Sequence, residues 1–168
     1  LYGETGRFPL SLRYKYRTIK YFNKLCNHKN SLVKNVFLIL CKLDSLGYTT
    51  WVSNVRKILQ ENDFVFNYTQ DMSDNKILLH KFKDKIYTTF VSKWFQDIND
   101  NIKHPILRTY CKIKNTYCIE PYLLYIRDFN LRKVLSQLRL NSHKLHIETG
   151  RHEKPIKAVA ERLCKVCE

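Results

Sequence analysis

Apolar residues in this chain recur at helical rather than strand spacing, and this periodicity constrains the fold more than any other feature. Leu78, Phe82, Ile86, Phe90 and Trp94 follow one another every four residues, flanked by Ile77, Tyr87, Val91 and Ile98. One side of a long helix starting near Asp74 and ending in the polar cluster 97–101 is therefore apolar along its length. The same spacing predicts a helix after Pro9, with Leu12, Tyr16, Ile19, Phe22 and Cys26 on its stripe. A second runs from Ser31, as N-cap, to Leu46, with Leu32, Val33, Val36, Phe37, Leu40 and Cys41 facing inward and Gly47 as the stop. A third begins near Thr50, with Trp51, Val55, Ile58 and Leu59 on the core side, Phe64 behind it and a break at 61–63.

Pro105 and Pro121 suit the first turns of two shorter helices. Asp128 can cap the next, whose inner side is Leu131, Val134, Leu135 and Leu138. From Leu140 to Gly150 the pattern changes: Leu145 and Ile147 alternate with polar residues, which fits a short extended stretch. The expected fold is all-α, an irregular helical domain of about six to seven helices. Residues 1–140 form that basic domain, and residues 141–168 form the extended segment and a terminal Cys-x-x-Cys. A chain of 168 residues can bury a sizeable core, and its 44% hydrophobic content excludes wholesale disorder.

Charge narrows the choice of partner. Lys and Arg number 30 against 15 Asp and Glu, a net +15. Residues 1–60 hold 11 basic and 2 acidic side chains, residues 61–122 hold 9 and 8, and residues 123–168 hold 10 and 5. Two basic ends around a near-neutral middle suit a polyanion, because each neutralised phosphate releases counterions. The cations of the first helix are ordered: Arg13, Arg17, Lys20 and Lys24 lie at spacings of four, three and four, with Tyr14 and Tyr21 beside them. Two readings fit this stripe. It lies along a phosphate backbone with aromatics next to the cations, or it is a solvated face whose stems cover apolar neighbours.

Catalytic motifs are missing from the sequence. Four scattered Gly cannot make a phosphate loop, there is no Gly-x-Ser-x-Gly and no His-Glu-x-x-His, and no adjacent carboxylates offer a two-metal site. The expectation is a chain with no catalytic residues and no small-molecule substrate. Of six Cys, Cys26 and Cys41 fall on helical stripes, as small buried hydrophobes do, and only Cys164-Lys165-Val166-Cys167 has metal-ligand spacing. Half a zinc site and an unmetallated terminus both fit it, with His143, His146 and His152 as upstream candidates to complete a ligand set. The longest apolar run, residues 36–41, is far too short to cross a bilayer, so no membrane partner is expected. With no leader after Leu1 and no disulfide pattern, we expect a reduced intracellular protein, nuclear or cytoplasmic. The missing initiator Met and the end at Glu168 suggest a piece of a longer chain.

Several segments share a family likeness. Glu4-Thr5-Gly6-Arg7-Phe8-Pro9-Leu10 precedes the basic run 13–20, and Leu138-Arg139, Ser142-His143-x-Leu145 and Ile147-Glu148-x-Gly150-Arg151 precede Arg162-Leu163-Cys164-x-x-Cys167. Together these resemble the region downstream of the polymerase domain in jockey-like non-LTR retrotransposon proteins. The likeness spans nearly the whole chain but is carried by its two ends. It implies that Cys164 and Cys167 are the first two ligands of a Cys-Cys-His-Cys zinc knuckle whose remaining ligands lie beyond residue 168. It also implies that RNA-directed DNA synthesis belongs to a polymerase domain of the same parent protein. This segment would then grip template RNA or target DNA, with Arg13, Arg17, Lys20, Lys24, Arg139 and Arg151 as phosphate contacts. For His143 and Glu148 a structural role is favoured over a chemical one. The competing expectations are a helical protein-interaction scaffold and a degenerate element fragment without activity.

Overall fold

The computed structural model describes residues 2–66, 75–100, 102–104, 107, 109–142, 150, 155, 158 and 162. Over these residues the chain is all-α and irregular. Its eight helices are α1 (Tyr2–Thr5), α2 (Leu10–Cys26), α3 (Ser31–Ser45), α4 (Trp51–Gln60), α5 (Asn75–Asn99), α6 (Tyr110–Ile113), α7 (Pro121–Tyr125) and α8 (Phe129–Arg139). Among the described residues the only strand-like pairing is an isolated antiparallel bridge between Thr5 and Ile119. The chain divides into two compact units, Phe8–Phe90 and Leu1–Arg7 with Val91–Glu168, the boundary falling inside α5.

In the unit Phe8–Phe90, each helix start has a local cause. Pro9, extended at φ −56° and ψ 149°, leads directly into α2. Asn30 rather than Ser31 caps α3: its Oδ1 accepts from the backbone N–H groups of Leu32 at 2.9 Å and Val33 at 3.3 Å. Asn is as good a cap as Ser, and here it stands one residue earlier. Thr50 caps α4 in a capping box: its hydroxyl accepts from the Val52 N–H, and Ser53 Oγ accepts from the Thr50 N–H. Gly47, at φ +90°, follows α3, as expected of a stop.

Helices α2, α3 and α4 pack on one another around Ile19, Phe22, Phe37, Cys41, Val52, Val55, Ile58 and Leu59, joined by Phe82 and Ile86 of α5. Each buried Val, Leu, Ile or Phe among them contributes about 1.5–3 kcal/mol by leaving water. Phe22 meets Phe37 edge to face at 5.5 Å, and Phe64 meets Phe82 at 5.4 Å. The stripes expected of α2, α4 and α5 supply most of this core, to which α4 adds Val52, fully buried but not on the expected stripe. On α3 the expectation held for Phe37 and Cys41 but not for Leu32 and Val36, which are exposed. That helix is apolar nearly all round, so its pattern does not single out an inner face. Packing against α2 and α4 selects the side bearing Phe37, Cys41 and Asp44.

In the other unit, α1 is a single turn too short for any periodicity to reveal. Gly3 lies so close to the Trp94 ring that a Cβ there would stand 2.2 Å from its Cζ2. Gly6 sits at φ +61° with its would-be Cβ 2.5 Å from the Ile119 nitrogen, so both conformation and space call for glycine. Tyr117 donates its hydroxyl to the Arg7 carbonyl at 2.6 Å, and Trp94 packs edge-on against Tyr110 and Tyr117. Pro121 opens α7 and Asp128 caps α8 through the Leu131 N–H at 2.9 Å, both as expected. The expected inner side of α8 differs: Leu131, Val134 and Leu138 are exposed. Pro105, expected to open a helix, lies outside the described residues, and the helix α6 starts at Tyr110 with Thr109 as its N-cap. Most of the extended stretch to Gly150 lies outside the described residues.

Candidate nucleic-acid interface

Residues spaced four, three and four apart on a helix drift little round its axis, so Arg13, Arg17, Lys20 and Lys24 share an arc of about 60° along about 16 Å of α2. All four are exposed. Among the described residues no carboxylate forms an ion pair with any of them. Lys15, on another side of α2, pairs with Glu61 at 2.8 Å, and this cation holds the Glu61 carboxyl below its ordinary range.

The absence of a local counter-charge follows from where the acids go. Residues 1–60 contain only two acidic side chains, Glu4 and Asp44, and both are 3% exposed. Asp44 is taken up inside the core unit by Arg56 at 3.1 Å and by the Ser53 hydroxyl. The first 60 residues therefore present cations to solvent and no carboxylate. Within residues 1–60 no exposed acid cancels the four cations, and Glu61 next in sequence is taken up by Lys15, so their potentials add.

Tyr14 and Tyr21 border this stripe, seven residues or about 10 Å apart. They are 56% and 52% exposed, yet α4 holds both. The Asn54 amide donates to the Tyr14 hydroxyl at 2.8 Å, and Tyr21 meets Trp51 edge to face at 5.6 Å. Two rings fixed from below and open to solvent beside four cations can stack on unpaired bases while the cations hold phosphates.

Arg139 is placed differently from the α2 cations. Its guanidinium lies 3.2 Å from each Glu4 oxygen, through Nε and a terminal nitrogen, and 2.9 Å from Glu120. It also lies 5.6 Å from the Tyr122 ring centre. Burial alone would lower its pKa, but the hydrogen bonds and charges of Glu4 and Glu120 outweigh burial and raise it. Tyr122 donates to Glu4 at 2.6 Å and lies 2.7 Å from the Ser136 hydroxyl. Burial first, and the Glu4 hydrogen bond second, push its phenol up to about 12. Burial, with Glu4 nearby, likewise raises Tyr110. Buried Lys114 closes the cluster through the Glu120 carboxylate and, at 2.8 Å, the Cys118 carbonyl.

This cluster escaped sequence reasoning because its members are up to 135 residues apart. One signal pointed to it: Glu4 is one of only two acids in a basic stretch. A guanidinium matched to two carboxylates holds a fold together and offers little to a phosphate. Arg151, Cys164 and Cys167 lie outside the described residues, as do His143, His146, Glu148 and His152. Among the described residues no His, Cys, Asp and Glu group has the makings of a metal site, and no helix is long and apolar enough to cross a membrane. Cys26 and Cys41 are free thiols; burial, then the neighbouring Cys41, pushes Cys26 up to about 11. No family model, curated protein or solved structure matches this chain.

Proposed function

We propose that this chain is a nucleic-acid-binding segment without catalytic residues of its own, and that α2 grips single-stranded RNA or DNA. One observation carries the reading: Arg13, Arg17, Lys20 and Lys24 stand in an exposed file, in a stretch with no exposed carboxylate, beside two tyrosines held by α4. Cations alone fit any phosphate backbone, whereas open aromatic rings add affinity only for bases that are not already stacked in a duplex. The sequence resemblance supports a place for the segment in a retroelement protein, with the polymerase domain of the same parent chain as its partner. It also gives Cys164 and Cys167 to a zinc knuckle. Zinc content measured after dialysis checks that last point. The exposed apolar stripe of α3 favours a second, scaffold-like role beside nucleic-acid binding.

Fluorescence anisotropy with a single strand and a duplex of one sequence tests the proposal. The single strand binds more tightly, and Tyr14→Ala or Tyr21→Ala weakens that binding by about tenfold, in line with about 1–3 kcal/mol per stacked base. Duplex binding changes little in the same variants. Equal affinity for both forms, insensitive to both tyrosines, removes the single-strand assignment. No binding of either form removes the nucleic-acid reading altogether.

A further inference from the structure

Helix α3 has an apolar face that its own unit leaves unused. Leu32, Val36, Ile39, Leu43 and Leu46 follow one another at spacings of four, three, four and three, which aligns them in one narrow stripe. Leu32 is 70% exposed, Val36 51%, Ile39 57% and Leu46 64%, while Leu43 is half-buried. The buried side of the same helix is the one bearing Phe37, Cys41 and Asp44. Such a stripe on a soluble surface is costly to leave in water, and alternating steps of three and four are the seam that a second helix fills by knobs-into-holes packing.

The surroundings of the seam select the kind of helix. Its open flank carries the exposed Asn35 and Lys42, and the two acids of residues 1–60 are both buried. Flanking positions set partner choice by charge, so a helix with acidic flanks is attracted. A second copy docking by the same face would set Lys42 against that face with no exposed carboxylate to meet it. We infer that the Leu32–Leu46 face of α3 docks an amphipathic helix of another protein, with an apolar heptad seam and Glu or Asp at its flanks. The docking face is distinct from the cationic stripe of α2, so protein and nucleic acid are read by different helices.

The full chain, titrated against a labelled four-heptad peptide with Leu at both seam positions and Glu at both flanking positions, provides the test. Three controls separate the terms: a scrambled peptide of the same composition, a peptide with Lys in place of the flanking Glu, and a chain carrying Arg17→Ala and Lys20→Ala. The Glu peptide is expected to bind at least about tenfold more tightly than either control peptide, each tenfold being about 1.4 kcal/mol. Ile39→Lys or Val36→Gln, both at exposed positions, should each weaken it about tenfold with helicity and melting temperature unchanged. The α2 double variant should leave it unaltered. Equal binding of the scrambled peptide, or full affinity in Ile39→Lys, overturns the inference. So does a dimer of the unmodified chain that Ile39→Lys dissociates, since a second copy would then be the occupant.

Discussion

The guanidinium of Arg139 and the carboxylate of Glu4 meet at 3.2 Å across 135 residues of sequence, with Glu4 only 3% exposed. This pair joins α1 to α8 within one unit, and Glu120 N–H reinforces it by donating to the Glu4 carbonyl at 2.9 Å. Removing one partner of a buried ion pair costs more than the pair is worth, because the other charge stays behind without its match. Glu4→Ala is therefore expected to lower unfolding free energy by about 3 kcal/mol, read from urea denaturation. Glu4→Gln keeps an acceptor for Tyr122 and should cost less. Equal stability of Glu4→Ala and the parent chain would contradict this account of the cluster.

Two glycines with positive φ separate conformation from space. Gly47, at φ +90°, has nothing within 4 Å of a would-be Cβ, so Gly47→Ala carries only the conformational cost, about 1 kcal/mol. Gly6, at φ +61°, adds backbone atoms at 2.5 and 2.8 Å. Gly6→Ala should lose clearly more, about 2–4 kcal/mol, because backbone on both sides must shift. Paired thermal melts compare them, and equal losses would mean that the approach of Gly6 to Cys118 and Ile119 is not tight in solution.

Alkaline pH should loosen both units. The Tyr122 phenol is held up to about 12 and the Cys26 thiol up to about 11, so the folded state favours their protonated forms. A raised folded pKa contributes stability that is complete below the unfolded value. For Cys26 this contribution fades as pH rises from about 9 through about 11, and for Tyr122 from about 10 through about 12. Tyrosinate absorbance should show Tyr110, Tyr117 and Tyr122 ionising above the usual tyrosine range. A single tyrosine transition at the ordinary value, with folding intact, would contradict the burial of these rings. A thiol reagent at neutral pH should modify exposed Cys118 before Cys26 or Cys41.

The helices were legible in the sequence wherever one face was apolar and the other polar, as in α2, α4 and α8, and wherever a start signal stood at the first turn, as with Thr50 and Asp128 at the cap and Pro121 as the first helical residue. Burial was less legible. On α3 two apolar stripes compete, and only its neighbours decide that Phe37 and Cys41 are inside while Leu32 and Val36 are out. On α8 the regular stripe of Leu131, Val134 and Leu138 stays exposed, since periodicity reports a face without reporting what covers it. The cationic file of α2 could be read directly because it depends on one helix. Arg139 could not, because its role depends on Glu4 and Glu120, which local sequence does not bring to it.

The α2 file should contribute to binding and not to folding. Arg17→Ala with Lys20→Ala removes two exposed side chains that form no ion pair among the described residues, so stability should change by no more than about 0.5 kcal/mol. Chemical denaturation checks this. A loss of several kcal/mol would show that the stripe is part of the fold.

The central claim is that these four cations hold phosphates, and the salt dependence of single-strand affinity tests it most directly. Four phosphate contacts predict that log K falls with log salt at a slope of about −2.8, and the Arg17→Ala, Lys20→Ala double variant should reduce it to about −1.4. A slope near zero, or one that the double variant leaves unchanged, would contradict the account.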